Sequence, residues 1–357
     1  MNVAITVRLE RNPWKNRGKQ SAINLYDCIH AAGENAFYIT PTAELKDCDK
    51  NHIGYTEEAA LTDHIPPPDL LIIHGHFPGD TFLQRFKKRY PKCKIVHYFL
   101  ENPIAEASLS LTSGKELSCS DLTEELWIPP HQMTNAEYLI SLHLQEVTAK
   151  VAPYLWSPFF LQESLRSKKY KNCYFDNSRE TGVSIIETNT SFVKNFFIPL
   201  FACEQVNLRD SSSLGSVSVF NTKNIKNTPL HSSLIKRLSL AKQDKLFLSN
   251  NWESPDIYSR CGQYIVSHQA GSQLNYQHLE CLYLGLPLIH NSPEISSCGY
   301  YYKGSNSSMA RNQLTNAILH HANNLPDYQF AAKELFQQFS PRAEANLKKI
   351  KKLIYSK

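Results

Sequence analysis

Tyr276-Gln-His-Leu-Glu280-Cys-Leu-Tyr-Leu-Gly285-Leu-Pro287-Leu-Ile-His-Asn291 decides how this sequence is read. Its first half has the composition of a helix packed against a core. Gly285 supplies a helix C-cap, Pro287 forbids continuation, and a strand follows. Helix, tight turn and strand in so few residues form half of an α/β repeat. One residue resists a purely structural account. Glu280 lies amid Leu279, Cys281, Leu282 and Leu284, where a carboxylate is costly unless it is partnered or faces a polar cleft. A ribose diol would be a suitable partner.

The same alternation extends in both directions. At the start, Val3–Val7 reads as a buried strand, Ser21–Ala32 as a helix and Ala36–Ile39 as a second strand. After the triple proline Pro66-Pro67-Pro68 come a strand at Asp69–His74, a helix at Thr81–Arg89 and a strand at Lys94–Phe99. A short strand at Glu125–Pro129 and a helix at Thr134–Leu144 follow. The chain is then aromatic, proline-interrupted and basic from Pro153 through Lys171, and the domain junction is placed there. A second alternation has strands at Val183–Glu187, Val217–Phe220, Lys245–Leu248 and Gln263–Ser267, with helices through Phe197–Cys203 and near Ser232–Leu240. Tyr328–Tyr355 is helix-compatible with a break at Pro341. The expected architecture is α/β, with Rossmann-like domains over residues 1–158 and 159–335 facing each other across a cleft, and a helical extension over 336–357.

Bulk properties agree with two globular domains. The chain has 357 residues, 42% hydrophobic and 20% charged, and a single core rarely organises that length. Its apolar runs, such as Leu70–Ile73 and Leu282–Ile289, fall short of the ~20 residues of a membrane span. The opening Met1–Arg8 has no basic leader or cleavage site, so a cytoplasmic protein is expected. Nine cysteines, an odd number without CxxC spacing, disfavour a disulfide framework and a zinc site. Asp47-Cys-Asp49 has the form of a metal-binding DxD, but Ala-Glu-Leu-Lys precedes it rather than a buried strand, and no metal or other cofactor is expected. A net charge of +5 is modest, and no protein partner can be inferred.

Parallel α/β domains bind ligands beyond the carboxyl ends of their strands, so the polar segments there are the candidates. In the second half, Glu187-Thr-Asn189-Thr-Ser191-Phe-Val-Lys194 follows a strand and opens a helix. A lysine is unfavourable there against the helix dipole unless an anion compensates, which makes Lys194 a candidate for neutralising a diphosphate leaving group. Asn189 and Ser191 share that turn. Asn221 opens another such loop, and the polar turn His268-Gln269-Ala-Gly271-Ser-Gln-Leu-Asn275 a third. In the first half, His74-Gly-His76 and Phe99-Leu-Glu101-Asn102 end two strands. Either histidine or Glu101 could deprotonate a hydroxyl acceptor, with Glu101 the first choice.

With those residues set out, the sequence resembles the GT-B glycosyltransferases. Their donor domain carries Glu, then Gly five residues later, then x-Pro, the Glu gripping the nucleotide ribose; Glu280, Gly285 and Pro287 match. Many retaining members have a second Glu eight residues earlier, where this chain has Ser272, so retention is not implied. Lys94-Ile-Val-His-Tyr-Phe-Leu-Glu101 looks similar to the strand and acidic base of phage enzymes that glucosylate hydroxymethylcytosine in DNA. Pro153–Trp156, Glu187–Pro199 and His290–Tyr302 are similar to an uncharacterised bacterial and phage GT-B-like group. The resemblance implies a metal-independent enzyme with a nucleotide-sugar, uridine being the family expectation, as co-substrate.

The acceptor is read from Arg8-Leu-Glu-Arg11-Asn-Pro-Trp14-Lys15-Asn-Arg17-Gly-Lys19, five basic residues and a tryptophan in a loop after the first strand. Basic and aromatic residues together suit nucleic acid, and a base carrying a hydroxymethyl group must leave the helix to react. Double-stranded DNA is therefore the leading acceptor. A polysaccharide or lipopolysaccharide acceptor stays open, approached by the aromatic linker Tyr154–Phe160, as does an inactive binding protein that keeps Glu280 without needing Glu101.

Overall fold

A computed structural model of the chain describes residues 1–356 except 10–11, 15–16, 43–51, 101, 103, 105–106, 108–109, 112–113, 115–117, 168–169, 171, 190–192, 224, 226–227, 230–232 and 272–273. The chain divides into two compact units, one of Met1–Ser157 with Gln337–Lys357, the other of Pro158–Phe336.

The first unit is built on seven strands, β1 (Asn2–Thr6), β2 (Asn35–Thr40), β3 (Gly54–Thr56), β4 (Leu70–Ile73), β5 (Lys94–Tyr98), β6 (Glu125–Ile128) and β7 (Thr148–Val151). Their order is β3-β2-β1-β4-β5-β6-β7, and every described ladder is parallel. Central parallel strands are covered on both faces, which explains why Val3–Ile5, Leu70–Ile73 and Leu126–Ile128 are almost wholly buried. Helices α1 (Arg17–Ala31), α2 (Glu57–Ala60), α3 (Asp80–Arg89) and α4 (Ala136–Ser141) connect them. Phe82, Leu83 and Phe86 of α3 close one face over Phe37, Leu71, Ile73 and Ile95.

The second unit has strands β8 (Gly182–Ile185), β9 (Ser216–Val219), β10 (Leu246–Leu248), β11 (Tyr264–Val266), β12 (Leu288–His290) and β13 (Tyr300–Tyr301), ordered β10-β9-β8-β11-β12-β13. Its ladders are parallel too. Around them lie α5 (Phe159–Arg166), α6 (Phe197–Arg209), α7 (Ser239–Lys242), α8 (Ser254–Arg260), α9 (Tyr276–Tyr283) and α10 (Ser307–Phe339). Val183, Ile185, Val217, Val219, Val266 and Ile289 pack against Leu200 and Cys203 of α6 and Ala310, Leu314 and Ala317 of α10.

The last helix, α11 (Glu344–Ile354), returns to the first unit and packs on α1. Polar contacts fix its end. The Tyr355 hydroxyl donates to Glu34 (2.9 Å), and Lys94 Nζ donates to the Ser356 carbonyl (2.9 Å) while also pairing with the buried Glu125.

Four expectations change. The helix after β8 opens only at Phe197, so Lys194 precedes it and lies outside its first turn. Helix α1 begins at Arg17 rather than Ser21, so Arg17 and Lys19 lie in its first turn instead of a loop. Thr134–Leu144 divides into a 3-10 turn through Asn135 and the short α4. Near Ser232–Leu240 the described chain holds a 3-10 turn at Ile235–Arg237, and α7 starts only at Ser239. Glu204 explains that start. Its carboxylate accepts from the backbone N–H of Ser239 and of Leu240 (2.6 and 3.1 Å), capping the helix there.

Candidate active site

Each sheet reverses its direction of growth at one place, between β1 and β4 in the first unit and between β8 and β11 in the second. The loops after those strands diverge to opposite faces and leave a crevice at the carboxyl ends, where open parallel sheets bind ligands. Of the polar segments singled out from sequence, those after β1, β4, β8 and β11 fall at these two places, whereas the Asn221 loop follows β9 and Phe99–Asn102 follows β5, each one strand away.

In the second unit the segment after β8 and the turn after β11 are joined directly. Lys194 bridges Gln269, the Ala270 N–H donates to the Val193 carbonyl (2.8 Å), and the Asn189 N–H donates to the Lys194 carbonyl (3.1 Å). Asn189 and Asn221 adopt φ of 56° and 57°, a left-handed conformation that asparagine tolerates best among residues with a side chain. Their amides fasten neighbouring strand ends, Asn189 Nδ2 donating to the Phe220 carbonyl (2.8 Å) and Asn221 Nδ2 to the Glu187 carbonyl (2.9 Å). Thus Asn189, Lys194, Asn221 and Gln269 form one connected group. Ser191 lies outside the described residues.

His268 is buried and engaged at both ring nitrogens. The Tyr302 hydroxyl gives its proton to the Ser267 carbonyl (3.0 Å), so it accepts from His268 Nδ1 (3.0 Å), and Ser305 Oγ donates to Nε2 (3.2 Å). Burial pulls this imidazole down to about 4, so it is neutral and holds the turn. Gly271 continues the turn at φ 74°, and Asn275 is the N-cap of α9, its Oδ1 accepting from the His278 N–H (3.0 Å). Glu280, 1% exposed, accepts from the Tyr258 hydroxyl of α8 (2.9 Å).

Two residues at this edge were not among the sequence candidates. Asn291, after β12, accepts from the Gln269 N–H (3.0 Å) and donates to the Gln269 carbonyl (2.9 Å), clamping that residue from the far side. Glu187 lies two residues past β8 and is 4% exposed. Its Oε1 accepts from Ser267 Oγ (2.5 Å) and the His268 N–H (3.2 Å), and its Oε2 from Gln269 Nε2 (3.3 Å). Burial pushes its carboxyl up to about 7, against the opposing pull of Ser267, Lys194, His268 and Gln269. The reasoning that singled out Glu280, a carboxylate beside an apolar run, would also have found Glu187 after Val183-Ser-Ile-Ile186.

At the first unit's crevice the two histidines differ. His74 is 4% exposed, with Nδ1–H donating to the Tyr98 carbonyl (2.9 Å) and Nε2 accepting from Ser21 Oγ (2.8 Å). Burial pulls its ring down to about 4. With no nitrogen left for an acceptor hydroxyl, His74 is a strut between β4, β5 and α1. His76 accepts at Nδ1 from Arg8 Nε (3.1 Å), which leaves its Nε2–H to donate to Glu57 (2.7 Å). Between them Gly75 turns at φ 26°, and a Cβ there would stand 3.0 Å from the Gly18 carbonyl oxygen. Glu101 lies outside the described residues.

Of the expected acceptor-binding set, Arg8 stands at this crevice through His76, and Arg17 lies over the Trp14 ring at 5.3 Å. Lys19 is fully buried, so it belongs to the protein interior and cannot meet a phosphate backbone. Arg11 and Lys15 lie outside the described residues, as does Asp47-Cys-Asp49. Among the described residues no three His, Cys, Asp or Glu side chains are grouped to hold a metal ion, and no helix is long and apolar enough to cross a membrane.

Comparison with known proteins places this architecture. A family model described as protein of unknown function (DUF2827) matches residues 1–354. No curated protein matches the sequence. Among solved structures, an alpha-glucosyltransferase in complex with UDP and a 13-mer DNA containing an HMU base aligns at a TM-score of 0.59 and 12% identity, over 100% of both chains. The T4 phage BGT in complex with its UDP-glucose substrate aligns at 0.53 and 9% identity, again over 100% of both. A variant of S. aureus TarM in complex with fondaparinux, alpha-GlcNAc-glycerol and UDP aligns at 0.53 and 12% identity, over 83% of this chain; the match spans only 57% of that one. These are GT-B glycosyltransferases, and the fold of this chain is GT-B.

Proposed function

The chain belongs to the DUF2827 family, and from that premise we propose that it is a metal-independent glycosyltransferase taking a sugar from a UDP-sugar to a hydroxyl acceptor, with 5-hydroxymethylcytosine in double-stranded DNA as the leading acceptor. The observation that carries this reading is the connected group at the β8–β11 switch point. There a lysine, two left-handed asparagines and the 267–271 turn converge where a nucleotide would lie. The DNA-bound and UDP-glucose-bound structures that share the fold along their whole length support the same reading.

In this account the second unit binds the donor. Lys194 neutralises the diphosphate as it becomes the leaving group, Asn189, Ser191, Asn221, His268, Gln269, Gly271 and Asn275 shape the pocket, and Glu280 takes the ribose hydroxyls. The first unit binds the acceptor, with Arg8, Arg11, Trp14, Lys15 and Arg17 toward DNA. Glu101 is the base, with His76 as the alternate.

The test is mass spectrometry of nucleosides from hydroxymethylcytosine-containing DNA and an unmodified control, each incubated with the protein and a panel of nucleotide-sugars. A pentose or hexose mass gain confined to hydroxymethylcytosine is expected. No gain, with nucleotide-sugar binding demonstrated, transfers the reading to a saccharide acceptor. That second reading is favoured by the burial of Lys19, which takes one cation out of the expected DNA surface.

The role of Glu280 is separable from its structural bond. Glu280→Ala removes the ribose contact and leaves the buried Tyr258 hydroxyl without this acceptor, at a cost of about 1–3 kcal/mol. Glu280→Gln keeps an oxygen for Tyr258. UDP titration should show both variants at least roughly tenfold weaker, with only the alanine variant losing melting temperature. Parental affinity in the glutamine variant would make Glu280 a packing residue.

A further inference from the structure

Glu187 has no role in the account above, yet its buried carboxyl takes three hydrogen bonds at the donor edge. Through Oε1 and Oε2 it holds three consecutive residues after β11: the Ser267 hydroxyl, the His268 N–H and the Gln269 side chain. These are the residues whose backbone and side chains meet Lys194, Asn291 and Tyr302. Ser267 Oγ also contacts His278 Nε2 (2.9 Å), carrying the link into the first turn of α9, which bears Glu280. Glu187 thus connects Lys194 on one side of the crevice with the Glu280 helix on the other.

Gln269 makes the arrangement two-sided. Its Nε2 donates to Glu187 while its Oε1 is buried with no partner among the described residues. An ionised Glu187 suits the amide as placed. A protonated Glu187 would donate from Oε2 to Oε1 of the rotated amide, exchanging one Glu187–Gln269 hydrogen bond for another of opposite polarity. Both charge states therefore keep the turn in place. The choice between them depends on the charge nearby, and the charge that changes on binding is the donor's diphosphate, drawn to Lys194.

We propose that Glu187 is a positioning residue of the nucleotide-sugar site, holding the 267–269 turn for the diphosphate and taking up a proton when the donor binds. This rests on the second unit being the donor site. Lys194 favours the ionised carboxylate when the site is empty. A diphosphate draws on that same cation and adds negative potential, which favours the protonated form. The other groups facing Glu187 are His268, His278 through Ser267, and Tyr302. His268 is held neutral and Tyr302 protonated throughout the neutral range.

The experiment is isothermal titration of the full-length protein with UDP-glucose, whose diphosphate diester keeps a constant charge from pH 6 to 8.5, in buffers of different ionisation enthalpy. The wild type should take up a fraction of a proton near pH 7.5 and bind about fivefold more tightly at pH 7 than at pH 8. Glu187→Gln, which presents an N–H to Gln269 Oε1 as the protonated acid would, should retain binding with no carboxyl-linked proton uptake and a flatter pH profile. Glu187→Ala should bind roughly tenfold more weakly; if it does not fold, the comparison of wild type with the glutamine variant decides alone. Equal proton uptake and equal pH profiles in wild type and Glu187→Gln overturn the inference while leaving the donor site intact. Wild-type protein that binds no nucleotide-sugar overturns the functional reading itself.

Discussion

Glu101→Gln is expected to bind UDP-sugar as tightly as the parent and to transfer sugar roughly 10²–10⁴-fold more slowly, the usual contribution of a positioned general base. The expectation rests on what the neighbouring strand ends do. His74 lies inside the core with one nitrogen donating to a carbonyl and the other accepting from Ser21. His76 offers no lone pair while Arg8 donates to Nδ1 and its own Nε2–H goes to Glu57. Glu101, three residues past β5 in the sequence, is therefore the first-choice base. Its amide isostere keeps size and shape but cannot accept a proton at neutral pH, so single-turnover transfer and equilibrium donor binding should separate cleanly. Transfer at the parental rate removes Glu101 from the mechanism. His76 would then be the base, acting after release of Arg8, and His76→Asn would be the variant to abolish turnover.

Gly262→Ala should be the most damaging single substitution for stability. A Cβ at Gly262 would stand 2.2 Å from the Gly182 carbonyl carbon and 2.3 Å from the Val183 nitrogen. Both are backbone atoms at the start of β8, so no side chain can move aside. Strand β8 is central in its sheet, paired to β9 and β11, and displacing it would pull apart the strand ends that carry Glu187 and Ser267. A loss of at least about 4 kcal/mol, or failure to fold, is expected. Gly304→Ala is the control. Its φ of 67° strains an alanine, but a Cβ there meets nothing within 4 Å, so a cost near 1 kcal/mol follows from the backbone alone. Denaturant unfolding of the two variants side by side tests the contrast, and comparable stabilities would contradict the close packing at Gly182.

The central strands were legible because each buries both faces and so writes its position as a short apolar run; Leu70–Ile73 and Leu126–Ile128 are examples. The edge strands β3 and β7 were not. Thr148-Ala-Lys-Val151 is half exposed and becomes a strand only by pairing with β6, a partner its own composition does not announce. The same distinction governs the site. Lys194 and the 268–275 turn stood out through local polarity after a strand. Glu187 and Asn291 did not, because the bonds that give them meaning reach across 80 and 22 residues and exist only once the strand order puts β8, β11 and β12 side by side. Lys19 erred in the opposite sense. Its basic neighbours suggest a surface, and the early start of α1 turns it inward.

The return of α11 to α1 makes the first unit discontinuous in sequence, with the whole second unit inserted between Ser157 and Gln337. On a ribosome, the second unit has all its residues while the first still waits for its last helix. The unit begun first is therefore completed last. Until Tyr355 reaches Glu34 and Ser356 reaches Lys94, the apolar face of α1 that α11 covers stays open on the nascent chain. Expression of residues 1–157 alone would perpetuate that state, whereas fusing 337–357 directly behind Ser157 restores the missing cover.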